Sequence, residues 1–171
     1  ERRMPPEVLE ALVASGAFKL ALPQSLGGAA AGLPTVLAAI EAIARADASA
    51  GWTVMIAITS SLMCGWMDDA TNEEIFGPDD AVASGVFAPM GEAHPVTHGY
   101  RVSGQWPYAS GCEHAQHRMV GALVRTGGMP EMRCFVFKAE QTTIVDTWEV
   151  SGLRGTGSHD LLIDEAFVPV N

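Results

Sequence analysis

The sequence predicts an α+β chain: a helical domain over residues 1–79, then a middle domain over residues 80–171 built as an antiparallel β-barrel or sandwich. Three observations carry this expectation. Apolar residues recur at helical spacing as far as about Gly77, and gather in short runs from about Val82 onward. Glycine and proline punctuate the second half at the intervals expected of short antiparallel strands. The change falls at Gly77-Pro78-Asp79-Asp80, a stretch of linker composition, and no internal repeat or low-complexity tract cuts across it.

Val8, Leu9, Leu12 and Val13 form the stripe of a first helix, and Gly16 is placed to end it in a left-handed cap. LALPQSLGGAAAGLP (20–34) reads as a loop, and Pro34 can open a second helix whose face holds Val36, Leu37, Ile40, Ile43 and Ala44. Asp47–Ser49 breaks the chain before AGWTVMIAITSSLMCGWM (50–67), a helix apolar on most sides and therefore central. Either the β domain covers it or further helices do, and its apolarity favours further helices. TNEEIFG (71–77) reads as a short capped helix, with Thr71 as N-cap, Glu74 as its capping-box partner and Gly77 as terminator. The strand candidates are AVASGVFAP (81–89), GYRVSGQW (99–106), HRMVGALVRT (117–126), MRCFVFKAE (132–140) and HDLLIDEAFVP (159–169), with RTGGMPEM (125–132) as a turn.

Composition excludes several classes. With 48% hydrophobic and 18% charged residues over 171 positions, the chain folds around a core instead of remaining disordered. A formal net charge of -10 with no local Lys/Arg cluster repels phosphates, so nucleic acid is not an expected partner. Three widely spaced cysteines form neither a disulfide framework nor a C-x-x-C pair, which fits a reducing, cytoplasmic setting. The uninterrupted apolar run Gly51–Ile58 is far short of a membrane span, and ERRMPPEVLEAL holds no signal-peptide core, although Glu1 reads as the start of a fragment.

Chemistry concentrates in GQWPYASGCEHAQ (104–116). Cys112, His114 and His117 carry zinc-ligand atoms. No second Cys/His cluster follows, however, and in an extended strand the two histidines point to opposite faces, so no metal is expected. Nothing around Cys112 marks an acyl-transfer site, and it reads as a buried, inert thiol. GLRGTG (152–157) precedes a strand instead of joining a strand to a helix, so it is a turn carrying Arg154 and not a phosphate loop. Trp106, Tyr108 and Ser110 alternate, and in a strand they share a face. They can wall a flat heteroaromatic, with Ser110 bonding to it, or pack as ordinary core; the residues alone leave both open.

Four ordered segments carry a resemblance: FKLALPQSLGG (18–28), IARADASAGW (43–52), YRVSGQWPYASGCEHA (100–115) and VSGLRGTGSHDLLIDEAFVP (150–169). Together they resemble the N-terminal and middle domains of the acyl-CoA dehydrogenase superfamily, without its C-terminal helical bundle. The resemblance is closer to the flavin-dependent monooxygenase branch, the oxygenase components of two-component aromatic hydroxylases. GVFAPMGEA (85–93) lies where the dehydrogenases carry a threonine–glutamate–proline motif, and its departure from that pattern favours oxygenation.

The resemblance implies that Trp106, Tyr108, Ala109 and Ser110 approach the isoalloxazine, with Ser110 as the catalytic group beside the flavin's oxygen adduct. It places Trp148 and the loop Gly152–Ser158 at a contact near flavin, Arg154 within reach of a phosphate, and Trp52 on the substrate side. The implied reaction draws reduced flavin, FMN or FAD, from a separate NAD(P)H-dependent reductase, forms a C4a-hydroperoxide with O₂, and hydroxylates a small aromatic substrate. The substrate's base belongs to the C-terminal domain, so none of His94, His98, His114, His117 or His159 inherits it. A homotetramer is expected. An acyl-CoA dehydrogenase-like flavoenzyme and a non-catalytic subunit of the same fold are the alternatives.

Overall fold

The computed structural model describes residues 2–170. Helices α1 (Pro6–Ala14), α2 (Leu33–Ala46), α3 (Ala48–Ser61) and α4 (Asp69–Phe76) precede strands β1 (Ala83–Val96), β2 (Gly99–Trp106), β3 (His117–Val124), β4 (Glu131–Lys138), β5 (Thr143–Val145) and β6 (Asp160–Pro169).

The helix ends follow from side-chain chemistry. α1 stops at Gly16, whose φ of 73° lets its N–H turn back to the Val13 carbonyl. Asp47 serves two helices at once: its N–H closes α2 on the Ile43 carbonyl, and its Oδ1 accepts the Ala50 N–H at 2.8 Å to open α3. α4 corrects the expected cap. Its N-cap is Asp68, which accepts both the N–H and the hydroxyl of Thr71, so the helix begins before Thr71 and a carboxylate takes the place of the weaker hydroxyl cap. Glu74, freed from the capping role, pairs with Lys138 at 2.7 Å. Gly77 terminates α4 as expected, in a right-handed conformation with its N–H on the Glu73 carbonyl.

The strands form one six-stranded sheet in the order β4-β3-β1-β2-β6-β5. It is mixed and not purely antiparallel as expected: β1 and β3 run parallel, from Ala83↔His117 to Ala93↔Val124. The segment 107–116 carries the chain from β2 across the start of β1 into β3, and Gln116 is tied to Val82 by two hydrogen bonds, one from its N–H and one to its Oε1. β1 also outruns its expected end at Pro89, passing that residue through register shifts and continuing to Val96. The short edge strand β5 has no counterpart in the sequence reading.

α3 packs against α2 and β1, burying Ala50, Thr53, Val54, Ala57 and Ile58. Its other side leaves Trp52, Thr59 and Leu62 exposed, and Trp66 beyond them. Leu37 of α2 is also exposed, although Val36 is buried and Ile40 and Ile43 pack on the core. With its 3₁₀ extension, α3 makes the 19-residue stretch Ala48–Trp66, long and apolar enough to cross a bilayer by length and composition; one side of it is buried against α2 and β1 and the other is exposed.

A second core lies within the sheet around Trp106, Val102, Val120, Phe137, Leu161 and Ile163. Trp106 is fully buried and donates its indole N–H to the Gly121 carbonyl at 2.8 Å. Space for it exists because position 91 has no side chain: a Cβ there would lie 2.2 Å from Trp106 Cζ2. A third cluster, with Leu22, Leu26, Ile75, Phe76, Ala83 and Met119, joins helices to sheet.

Candidate functional site

β2 ends at Trp106 because Pro107 follows with no N–H for the ladder, and Tyr108 then adopts a left-handed φ of 62°. The expected alternation therefore fails. Trp106 points into the core, Tyr108 is 71% exposed, and Ser110 sits in a buried turn behind it. Trp106 supports the wall from behind and shows no ring surface to a ligand, which corrects its place beside the flavin. A non-glycine residue at positive φ costs roughly 1–2 kcal/mol, and of the five among the described residues Tyr108 and Leu153, at 52° in the facing loop, meet here, while Ala30, His98 and Glu165 lie elsewhere. Such strain persists where surroundings enforce it, and it clusters at functional sites.

Those surroundings are two loops stitched together. The Ala109 N–H donates to the His159 carbonyl and the Gly111 N–H to the Thr156 carbonyl, both at 2.9 Å. The Cys112 thiol donates to the Gly157 carbonyl at 3.6 Å; it is fully buried, and burial pushes its pKa up to about 11, which leaves it protonated and inert. Trp148 meets the Tyr108 ring edge-on, with centroids 6.2 Å apart, and anchors its indole N–H on the Leu153 carbonyl at 3.2 Å. His159, also buried, accepts the Thr147 and Trp148 N–H groups at Nδ1, at 3.2 and 3.3 Å, and so fixes the backbone that carries Trp148. Asp146 Oδ1 lies 3.2 Å from the same nitrogen but is held by Arg2, and the two N–H donors mark Nδ1 as an acceptor.

Beneath the aromatics runs a chain of hydroxyls. Trp52 of α3 donates its indole N–H to Ser110 Oγ at 3.0 Å. Ser110 Oγ lies 2.7 Å from Ser158 Oγ, which lies 2.6 Å from Thr156 Oγ1, and Thr156 donates to the Leu153 carbonyl at 2.9 Å. The sequence reading named the loop Gly152–Ser158 but did not single out Ser158 and Thr156, because their own signal was only a hydroxyl-rich GTGSHD behind a glycine turn. Arg154 stands exposed at the start of that turn, with no side-chain partner among the described residues.

Tyr108 and the half-buried Trp148 meet at right angles in an open aromatic corner, and the 43%-exposed Trp52 reaches the same turn through Ser110. Two concavities of about 450 Å³ flank the fold, one between α4, β4 and the end of β6 and one lined by Arg2, Arg3, Glu113, Ile144, Asp146 and His159, and neither is lined by Tyr108, Trp148 or Trp52. Cys112, His114 and His117 do not gather: the thiol turns to Gly157, while His117 starts β3 at the parallel register. Among the described residues no group of three His, Cys, Asp or Glu side chains is arranged for a metal ion.

Residues 1–75 match the family described as "Acyl-CoA dehydrogenase, N-terminal domain". Over 172 residues the chain is 35% identical to "Flavin-dependent monooxygenase, oxygenase subunit HsaA" of Rhodococcus jostii (strain RHA1), covering 99% of this chain and 45% of the relative. It is 32% identical over 171 residues to the "FADH(2)-dependent resorcinol hydroxylase, oxygenase component" of Rhizobium sp. (strain MTP-10005), covering 98% and 42%. Among solved structures, XiaF from Streptomyces sp. in complex with FADH2 and glycerol superposes with a TM-score of 0.92 at 30% identity, covering 99% of this chain and 43% of that one. The chain thus spans less than half the length of these relatives.

Proposed function

Because the chain matches the acyl-CoA dehydrogenase fold and the oxygenase-subunit family of flavin-dependent monooxygenases, we propose that it is the N-terminal and middle part of an oxygenase component that hydroxylates a small aromatic compound with reduced flavin and O₂. On this reading residues 1–79 and 80–171 are its helical and β domains, a separate NAD(P)H-dependent reductase supplies the flavin, and the protein is a homo-oligomer. Reduced FAD is the form to test first, since the resorcinol hydroxylase and XiaF both carry FADH2 in their descriptions; FMN is the alternative.

The observation that carries the proposal is the exposed Tyr108 ring, met edge-on by the half-buried Trp148, two residues from the buried and hydrogen-bonded Ser110 hydroxyl. These residues fit a flavin, which needs a flat apolar contact and a few fixed polar atoms. Tyr108 and Trp148 would pack against the ring system, the Ala109 backbone would hold the turn at its edge, and Ser110 would meet a polar atom of the ring. Arg154, exposed and unpaired among the described residues, would reach a phosphate. Trp52 and the exposed side of α3 would face the substrate. When bound, reduced flavin supplies the electrons that activate O₂; the protein's part is placement and exclusion of water.

The test is an anaerobic titration of the complete gene product with reduced and oxidised FAD and FMN. Reduced flavin should bind, and Tyr108→Ala should weaken it by about three- to tenfold, the worth of one aromatic contact. Bound oxidised flavin that an acyl-CoA bleaches would move the assignment to the dehydrogenases, and a protein that binds no flavin would be the non-catalytic subunit.

A further inference from the structure

The directions of the hydrogen bonds beneath Tyr108 are fixed by the chain's two ends. At one end the Leu153 carbonyl can only accept, so Thr156 spends its single proton there. Thr156 therefore accepts from Ser158, and Ser158, its proton spent, accepts from Ser110. At the other end the Trp52 indole can only donate, and it donates to Ser110. The order is Trp52 to Ser110 to Ser158 to Thr156 to the Leu153 carbonyl. Reversing it would take the Thr156 hydroxyl from the Leu153 carbonyl, which keeps the Thr156 N–H and the Trp148 indole N–H, and would leave the Ser110 proton without an acceptor among the described residues. Ser158 and Thr156 are 4% and 2% exposed, so water does not compete for their protons.

Ser110 thus has one proton, committed to Ser158, and two lone pairs, one taken by Trp52. Toward a ligand it has a single acceptor to offer and no donor. We propose that Ser158 and Thr156 are positioning residues that lock Ser110 as an acceptor, and that this polarity makes the site prefer reduced over oxidised flavin. The inference rests on the reading that Ser110 meets the flavin ring. The central-ring nitrogen of a flavin carries a hydrogen in the reduced form and only a lone pair in the oxidised form. An acceptor-locked Ser110 matches the first and opposes the second, because two facing lone pairs leave both atoms unsatisfied. An oxygenase component served by a separate reductase must take up the reduced form and let go of the oxidised one. Ser158 and Thr156 bias that exchange without touching the flavin themselves.

Affinities of the complete gene product for reduced and oxidised flavin, or the midpoint potential of the bound flavin, read the bias without any turnover. Tighter binding of the reduced form raises the potential above that of free flavin. In Ser158→Ala the Ser110 proton is released and can turn to the ligand, so the reduced-to-oxidised preference should fall about tenfold, equal to about 30 mV for the two-electron couple. Thr156→Val frees the Ser158 proton to turn toward Ser110 and should act in the same direction, whereas Thr156→Ser keeps the chain and should retain the wild-type potential. A preference unchanged in both Ser158→Ala and Thr156→Val, with flavin still bound, overturns the polarity lock and leaves the flavin assignment standing. Wild-type protein that binds neither form overturns both.

Discussion

Gly91 and Trp106 make one packing unit, and their coupling can be measured. Trp106→Phe removes two ring carbons from a fully buried site and breaks the indole bond to the Gly121 carbonyl. At about 0.8 kcal/mol per buried carbon and about 1 kcal/mol for the hydrogen bond, the cost should be roughly 2–3 kcal/mol. Gly91→Ala drives a Cβ to 2.2 Å from Cζ2 and 2.5 Å from Cη2 of the same indole, and 2.8 Å from the Ser103 carbonyl oxygen. Overpacking of that kind costs about 1–3 kcal/mol. Phenylalanine has no atoms equivalent to Cζ2 and Cη2, so in the double variant the new methyl occupies the space they leave. The combined cost should fall below the sum of the single costs by at least about 1 kcal/mol. Urea unfolding followed by far-ultraviolet circular dichroism gives the three values without relying on the removed indole's fluorescence. Additivity within about 0.5 kcal/mol would refute this account of the core. A Trp106→Phe protein that loses flavin affinity as steeply as Tyr108→Ala would return Trp106 to the ligand wall.

Cys112, raised to about 11 by burial, should resist thiol reagents at pH 8 in the folded protein and label only on unfolding, whereas Cys134, exposed though also pushed up by partial desolvation, labels in the folded state. Because the folded state holds the Cys112 proton beyond the unfolded value of 9.0, the Cys112 contribution to stability should be constant below pH 9 and fall by about 2–3 kcal/mol as pH rises toward 11; a Cys112→Ala protein with the same alkaline decline would refute the assignment. Asp47→Ala, which removes the N-cap of α3, should cost about 1 kcal/mol, and Asp47→Asn much less, by the same unfolding measurement.

Local grammar was legible wherever one residue decides the geometry. Gly16 ends α1, Pro34 lies in the first turn of α2, and GYRVSGQW is β2 to the residue, because left-handed φ, a missing N–H and period-two alternation are properties of short stretches. What escaped depends on distant partners. The parallel pairing of β1 with β3, the three-residue β5 and the close seat of Trp106 against Gly91 are settled by segments far apart in sequence. Pro107 did signal the end of β2, and weighing it would have separated Trp106 from Tyr108 and Ser110. The Ser110–Ser158–Thr156 chain was beyond reach: its members lie up to 48 positions apart, and bond direction emerges only once both ends are known.

The route of segment 107–116 across the start of β1 has a kinetic consequence. β1 and β2 meet through the turn Thr97–His98 and can zip as a hairpin within microseconds, whereas β1 and β3 pair 34 residues apart, Ala83 with His117. Segment 107–116 is the strap between these events. It acquires its shape only when β3 docks, and the 152–159 loop that grips it waits in turn for β6. Tyr108 and Ser110 should therefore be among the last residues to gain protection in a pulse-labelled refolding experiment, and ligand competence would mark a chain that has finished threading.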